Sequence, residues 1–151
     1  MVKRRAAAGA DSDADSTQTT AFGDLTDYPD GAILKIIFHN FLTYDHAVCV
    51  PGPRLNVIVG TNGSGKSTII CGICLALGGA PKSLGRSERI ADYVKHGKED
   101  GYVEMHLNDT KKGTQILKVA IKKPAATSYY VNGTHVTLTA LKEVVTSYNI
   151  Q

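Results

Sequence analysis

The sequence predicts an α/β fold in which one phosphate-binding strand–loop–helix unit is set among antiparallel strands. Three observations point there. Residues 60–67 read Gly-Thr-Asn-Gly-Ser-Gly-Lys-Ser, a complete G-x-x-x-x-G-K-[ST] loop. Arg54-Leu-Asn-Val-Ile-Val59 before it alternates and is β-branched, while Ser67 to Leu77 after it is apolar and stops on Gly78-Gly79. Beyond residue 100 the pattern turns to two-residue alternation broken by polar turns, the mark of antiparallel hairpins.

The loop has the residue types that a triphosphate needs. Gly60, Gly63 and Gly65 allow backbone conformations that a side chain would forbid. Thr61, Asn62 and Ser64 fill the turn between them, and the turned main chain aims its N–H groups into a concave nest for phosphate oxygens. Lys66 brings a full positive charge to the β and γ phosphates, and Ser67 supplies a hydroxyl for Mg²⁺. The helix that follows presents unpaired N–H groups and about half a positive charge to the same place. The cofactors expected are therefore ATP and Mg²⁺.

The other elements follow in chain order. Residues 1–23 are Ala, Ser, Thr and Asp with few apolar side chains, too little to offset the entropy of ordering, and read as a disordered tail. Ala32 to Phe38 is a strand, Phe41 to Tyr44 a turn, and His46 to Val50 a second strand. Pro51-Gly52-Pro53 leads into the strand 54–59 that carries the loop. Ala80 to Gly85 is a loop, and Ser87 caps a short helix to Val94 with Ile90, Ala91 and Val94 on one face. Gly101 to Leu107 and Thr114 to Lys122 are strands joined by a polar turn. Asn132-Gly133 makes a hairpin of Ser128–Val131 and Thr134–Thr137, because both turn residues accept positive φ. Leu141, Val144, Val145 and Tyr148 stand at helical spacing in a final helix over 139–148.

Composition narrows the function classes. At 151 residues and 42% hydrophobic content the chain fits one domain, with no apolar run of membrane-spanning length. Met1 to Ala10 lacks the apolar stretch of a secretory signal, which points to an intracellular protein. Lys3-Arg4-Arg5 is too short a basic run for a convincing nuclear signal. Cys71 and Cys74 form a C-x-x-C pair, yet no second ligand pair exists for zinc, and the two fall inside the loop's helix. They read as small buried hydrophobes, beside an apolar stripe of Ile70, Ile73, Cys74 and Leu77. His39, His46, His96, His106 and His135 are scattered without metal-ligand spacing. Residues 1–30 hold three basic and six acidic side chains, a net −3, so with a net charge of +3 overall residues 31–151 carry +6. Lys111, Lys112, Lys122, Lys123, Lys95, Lys98 and Arg89 could line one basic surface for DNA phosphates.

Further motifs tie the chain to a family. Asn40-Phe-Leu-Thr-Tyr44 resembles the opening of the SMC (structural maintenance of chromosomes) ATPases. Ile73-Cys-Leu-Ala-Leu-Gly-Gly79, Pro81, Gly85-Arg86 and Val94-Lys-His-Gly97 resemble the fifth eukaryotic subfamily, which pairs with the sixth in a DNA-repair complex. Tyr130-Val-Asn-Gly-Thr134 and Tyr148-Asn-Ile-Gln151 match the N-terminal head lobe, so the likeness covers residues 31–151.

The resemblance implies a P-loop NTPase fold, the N-terminal lobe of an ABC-type ATPase head with an antiparallel β subdomain, over residues 24–151. It implies that Gly60 to Ser67 bind ATP and magnesium with Thr68 one turn in, that Arg86 sits near the phosphates and DNA, and that Asn40 approaches the base. It implies as partners a second SMC head of the sixth subfamily, the C-terminal lobe that completes this one, the non-SMC subunits, and DNA. The nucleus and chromosome are the implied location, and double-strand break repair by homologous recombination and sister-chromatid organisation the implied role. The family's glutamine loop, aspartate–glutamate strand, signature motif and coiled coil do not occur in these 151 residues, and Gln151 is not promoted to the glutamine loop. The chain is thus expected to be an incomplete domain, inactive alone, with catalysis belonging to the full-length ATPase. Two other readings compete: a different P-loop NTPase, against which the lack of an N-K-x-D motif counts for GTPases, and a non-catalytic interaction module with a vestigial loop.

Overall fold

The computed structural model describes residues 25–150, so the tail 1–23 and Gln151 lie outside the described residues. Alternation dictates the sheet. β1 (Ile33–Phe41), β3 (Asp100–Leu107) and β4 (Gln115–Lys122) bury every second side chain on one face: Ile36 and Phe38, then Val103, Met105 and Leu107, then Leu117, Val119 and Ile121. With β2 (Tyr44–Cys49), β5 (Ala126–Val131) and β6 (Thr134–Val136) they form one sheet, ordered β2-β1-β3-β4-β5-β6, with each neighbouring pair antiparallel. Two helices cover the apolar face. α1 (Lys66–Ala76) inserts Cys71, Leu75 and Ala76, and α2 (Leu138–Ser147) inserts Leu141 and Val145. No helix among the described residues is long and apolar enough to cross a membrane.

The expected hairpin forms as its turn chemistry requires, with Asn132 at φ 50° and Gly133 at φ 79°. The Asn132 side chain also ties the turn to β4: its oxygen accepts the Ile116 N–H at 2.8 Å and its amide donates to Gln115 at 2.8 Å. α2 starts one residue earlier than its apolar spacing suggests, because Thr137 caps it by accepting the Ala140 N–H at 3.2 Å.

Three expectations are corrected. First, Arg54–Val59 is not a strand. Pro51 and Pro53 have no N–H to offer a ladder. The Asn56 side chain then takes the local backbone groups, accepting from Gly52 N at 2.7 Å and donating to Gly52 O and Arg54 O at 3.0 Å each. With no described strand pairing with it, the segment leaves Leu55 88%, Val57 72% and Val59 84% exposed.

Second, the face of α1 that meets the sheet carries Cys71, Gly72, Leu75 and Ala76, not the Ile70-Ile73-Cys74-Leu77 stripe, and Ile70 is 56% exposed. The helix is apolar all round, so spacing could not choose a side. Gly72 chooses it, since any Cβ there would run into the buried ring of Phe38. Third, Ser87 caps no α-helix. Residues Ile90–Tyr93 make a single 3₁₀ turn with Arg89 at its start, and Ser87 Oγ instead accepts the Arg89 N–H at 3.1 Å and donates to Asp92. Tyr93 draws the chain inward there: its ring stacks on Phe41 at 6.1 Å and its hydroxyl donates to Pro81 O and Ser87 O at 3.2 Å.

Gly72→Ala should cost about 1–3 kcal/mol of stability by overpacking. Urea denaturation should show it, with Phe38→Leu restoring part of the loss. A second expectation concerns alkali. Asp109 accepts the Lys111 and Lys112 N–H groups at 2.9 and 2.8 Å and the Tyr148 hydroxyl at 2.7 Å. Burial, then this bond, push the Tyr148 phenol up to about 12 from an ordinary 10.0. The folded protein thus holds a proton that the unfolded chain releases earlier, so this stabilisation is complete below about pH 10 and disappears as pH rises through 12. Melting temperatures should fall less steeply over that interval for Tyr148→Phe than for the parent chain.

Candidate functional site

The phosphate loop is positioned by the sheet edge beneath it. The β1–β2 hairpin turns through Leu42 and Thr43, and the hydroxyls of Thr43 and Tyr44 hold the base of α1. Tyr44 Oη donates to Gly65 O at 3.1 Å, and Thr43 Oγ1 lies 3.2 Å from Thr68 Oγ1. Thr68 is wholly buried, and burial, then Cys49, raises the Tyr44 phenol above its ordinary range. Gly65 stands immediately before α1 at φ 96°, and a Cβ there would lie 2.6 Å from the Tyr44 oxygen. Gly63 is at φ 86° with open space around it. Gly60 is not at positive φ, and a Cβ there would approach only the rotatable Ser64 hydroxyl, to 2.6 Å.

Lys66 closes the loop on itself. Its ammonium donates to Gly60 O at 2.6 Å and to Thr61 O at 2.7 Å, and the Ser64 N–H bonds Thr61 O at 3.2 Å. Thr61, Asn62, Gly63 and Ser64 are exposed, as is Ser67 on the first turn of α1. The result is a main-chain crook with a cation across its mouth, at a helix start whose leading N–H groups have no intrahelical partner. Such a crook accepts an oxyanion once the ammonium swings from the carbonyls to the anion.

Arg86 lies elsewhere. It is exposed and lines a cleft of about 390 Å³ with Leu42, Thr43, His96 and Lys123 among its neighbours. Thr43 belongs to both places, so the cleft adjoins the loop through the hairpin turn. Within the cleft wall Asp92 is held ionised, first by the Ser87 hydroxyl and then by Arg89. Asn40 ends the regular part of β1 at φ 44°. Its side-chain nitrogen lies 3.1 Å from His39 Nε2, and its carbonyl accepts the Lys95 N–H at 2.8 Å. The structure therefore brings Gly60–Ser67 together, joins Arg86 to them through Thr43, and gives Asn40 a partner on the sheet.

Tyr44 and Thr43 are site residues that sequence reasoning missed. The available signal was two hydroxyl side chains next to the hairpin turn, which reads equally well as turn chemistry. Cys71 and Cys74 are free thiols, and burial pushes both above the ordinary thiol range. No group of three or more metal-ligating side chains occurs among the described residues.

The basic surface expected from the sequence divides in three. Lys111 and Lys112 lie in the β3–β4 turn, while Lys122 and Lys123 lie at the opposite end of β4, roughly 25 Å away by strand rise. Lys95 is paired with Asp45 at 2.5 Å and Arg89 with Asp92 at 2.9 Å. Lys118 and Lys122 share the sheet face turned away from the helices.

The family model described as "AAA domain" matches residues 35–149. Structural maintenance of chromosomes protein 5 of Caenorhabditis elegans is 51% identical over 125 residues, which is 83% of this chain and 12% of that protein. The Arabidopsis thaliana protein of the same name is 40% identical over 126 residues, again 83% of this chain and 12% of the relative. A solved structure from work on ATP-driven dimerization and DNA-stimulated activation of SMC ATPases superposes with TM-score 0.74 at 25% identity, covering 79% of this chain and 80% of that one. The chain belongs to the AAA domain family and, within it, to the SMC proteins of the fifth type. The fold is the N-terminal lobe of an SMC ATPase head. The chain spans about an eighth of the length of these relatives.

Gly65→Ala meets two obstacles, the positive φ and the Tyr44 hydroxyl. It should therefore disorder the loop, and Tyr44→Ala should not rescue it because the backbone conformation remains forbidden to alanine. Amide hydrogen exchange over residues 60–68 should read this out as a loss of protection in both variants.

Proposed function

We propose that this chain is the ATP-binding lobe of a chromosome-maintenance SMC head, and that Gly60–Ser67 hold the nucleotide. The single observation that carries this is Lys66: its ammonium rests on Gly60 O and Thr61 O across a crook bounded by Gly63 and Gly65 at positive φ. On this reading the ammonium transfers from those carbonyls to the β and γ phosphates, and main-chain N–H groups of the loop take the remaining oxygens. Ser67 is exposed where its hydroxyl would reach a magnesium ion, which when bound neutralises phosphate charge. Thr68 acts by fixing the loop to Thr43 rather than by touching the ligand. Arg86 would meet phosphates from the adjoining cleft, and Asn40 would border the nucleotide from the strand end.

Binding alone is not turnover. Phosphoryl transfer needs an oriented water and a full charge set, and this lobe supplies only the cradle, Lys66 and Ser67. The exposed Leu55, Val57 and Val59 support the same conclusion, because they are apolar side chains on the segment leading into the loop, which a second lobe would cover. The reading extends to a partner head of the sixth SMC type, non-SMC subunits and chromosomal DNA in the nucleus, with a role in double-strand break repair by homologous recombination and in sister-chromatid organisation. DNA would lie on the open sheet face, where Lys118 and Lys122 stand.

Titrating the purified chain with a fluorescent ATP analogue tests the nucleotide reading. Saturable binding is expected, weakened at least about tenfold by Lys66→Ala, as the loss of a charge-assisted contact implies. No phosphate release above background is expected from the chain alone. Absence of binding would leave the interaction-module reading, and Lys66-dependent hydrolysis would show that the lobe is catalytically sufficient.

A further inference from the structure

The segment that enters the phosphate loop is gripped at both ends. At its far end the Lys66 ammonium holds the Gly60 and Thr61 carbonyls. At its near end the hold comes from a residue 23 positions earlier in the chain: Tyr28 Oη donates to Pro51 O at 3.0 Å. The bonds that Asn56 makes with Gly52 and Arg54 are internal to the segment. Packing does little to replace the Tyr28 contact. A hollow of about 470 Å³ is lined by Ile33 and Ile36 of β1, Ile69 and Ile73 of α1, and Val57 and Ile58 of the segment. Leu55, Val57 and Val59 stay exposed.

Tyr28 is itself firmly based. It follows the 3₁₀ turn Leu25–Asp27, and its N–H bonds Leu25 O at 3.0 Å. The side-chain amide of the buried Asn108 donates to Tyr28 O at 2.6 Å. Around that bond the Gly31 N–H donates to Asn108 O and the Asn108 N–H to Ala32 O, both at 2.8 Å, and the Thr110 N–H donates to Asp30 Oδ1 at 2.7 Å. The phenol therefore projects from a platform stitched to the β3–β4 turn. On the other side of the contact the chain is stiff as well. Pro51 and Pro53 have fixed φ, and Asn56 closes residues 52–56 into a compact turn. A constraint at Pro51 is thus carried to Asn56, and Val57, Ile58 and Val59 lead from there directly to Gly60.

We propose that Tyr28 is a positioning residue for the nucleotide: by fixing Pro51, its hydroxyl sets where the Gly60 and Thr61 carbonyls stand and keeps the phosphate loop in its receptive shape. The proposal rests on the reading that Gly60–Ser67 hold the nucleotide, and it adds a residue outside the loop on which that site depends. Released at Pro51, the entering segment gains conformations in which Gly60 is displaced. A loop that is competent for only a fraction of the time binds more weakly by that fraction.

Tyr28→Phe tests this by keeping the ring and removing the hydroxyl. Parent and variant chains are titrated with a fluorescent ATP analogue, with amide hydrogen exchange and urea denaturation alongside. Tyr28→Phe should bind about three- to tenfold more weakly, as the loss of one hydrogen bond implies. Exchange should quicken over residues 54–61 and stay unchanged in β1, β3 and β4. Tyr148→Phe loses a hydroxyl bond to Asp109 in the same β3–β4 turn, so it should lower urea stability and leave nucleotide affinity as it is. Asn56→Ala should weaken binding too, and joining it to Tyr28→Phe should cost less than the product of the single losses, because both cut one line of constraint. If Tyr28→Phe proves unfolded by circular dichroism, Asn56→Ala decides alone: weakened binding supports the proposal and parent affinity overturns it. Parent binding that is unchanged in Tyr28→Phe, or that falls in Tyr28→Phe and Tyr148→Phe alike in proportion to lost stability, would overturn the proposal and leave the nucleotide reading standing. No saturable binding by the parent chain would remove the nucleotide reading and the proposal with it.

Discussion

The close approach of α1 to β1 governs the architecture. Gly72 sets it, because only a residue without a Cβ lets the helix backbone lie against the Phe38 ring. From that contact the rest follows geometrically. Leu75 and Ala76 reach the sheet core, and the start of α1 comes within reach of the β1–β2 turn. There Thr43 and Tyr44 bind the first helical turn and the residue before it through Thr68 and Gly65. A phosphate loop works only if its main chain is held in one shape. Here the shape is imposed by a packed helix on one side and two hydroxyl contacts on the other, not by the glycines, which merely permit it.

That division explains what could be read from residues alone. The loop was legible because its chemistry is local: glycines, a lysine and a serine at fixed offsets need no tertiary information. The Asn132-Gly133 hairpin and the alternation of β3 and β4 were legible for the same reason. What failed depended on neighbours. Arg54–Val59 has strand propensity, but a strand is a relation between two segments, and no described strand pairs with it, while Asn56 turns its side chain back on Gly52 and Arg54. The buried side of α1 was illegible because apolar residues surround the helix and one glycine broke the tie. Thr43 and Tyr44 lie in the Asn40–Tyr44 motif that marked the family, but nothing local told of their contacts to the loop, since hydroxyl residues at a hairpin turn are common for turn reasons alone.

The exposed apolar side chains Leu55, Val57 and Val59 bear on the site as well as on stability. They lie on the segment that enters the loop at Gly60, so whatever covers them also fixes that segment. Without that cover the loop rests on Lys66 bridging two of its own carbonyls. On the proposed reading nucleotide binding breaks both bonds, and the loop holds no further cation to offset the loss. Covering Leu55, Val57 and Val59 and loading the phosphates would then act on one segment of chain, as an ATP site built from more than one lobe requires.

The β1–β2 hairpin joins the two faces of the sheet. Its turn contacts the phosphate loop through Tyr44 and borders the Arg86 cleft through Thr43. Its strands carry His39 and His46 on the opposite face, which is the face proposed for DNA. Asn40 stands at the junction, its carbonyl bound to the Lys95 N–H and its side chain against His39. A phosphate backbone pressing on one face and a triphosphate entering at the other would thus act on the same short hairpin, whose positive-φ residues Asn40 and Leu42 leave it little freedom to absorb a displacement locally. Any shift must be passed on, and the nearest recipients are Gly65 and Thr68 at the start of α1.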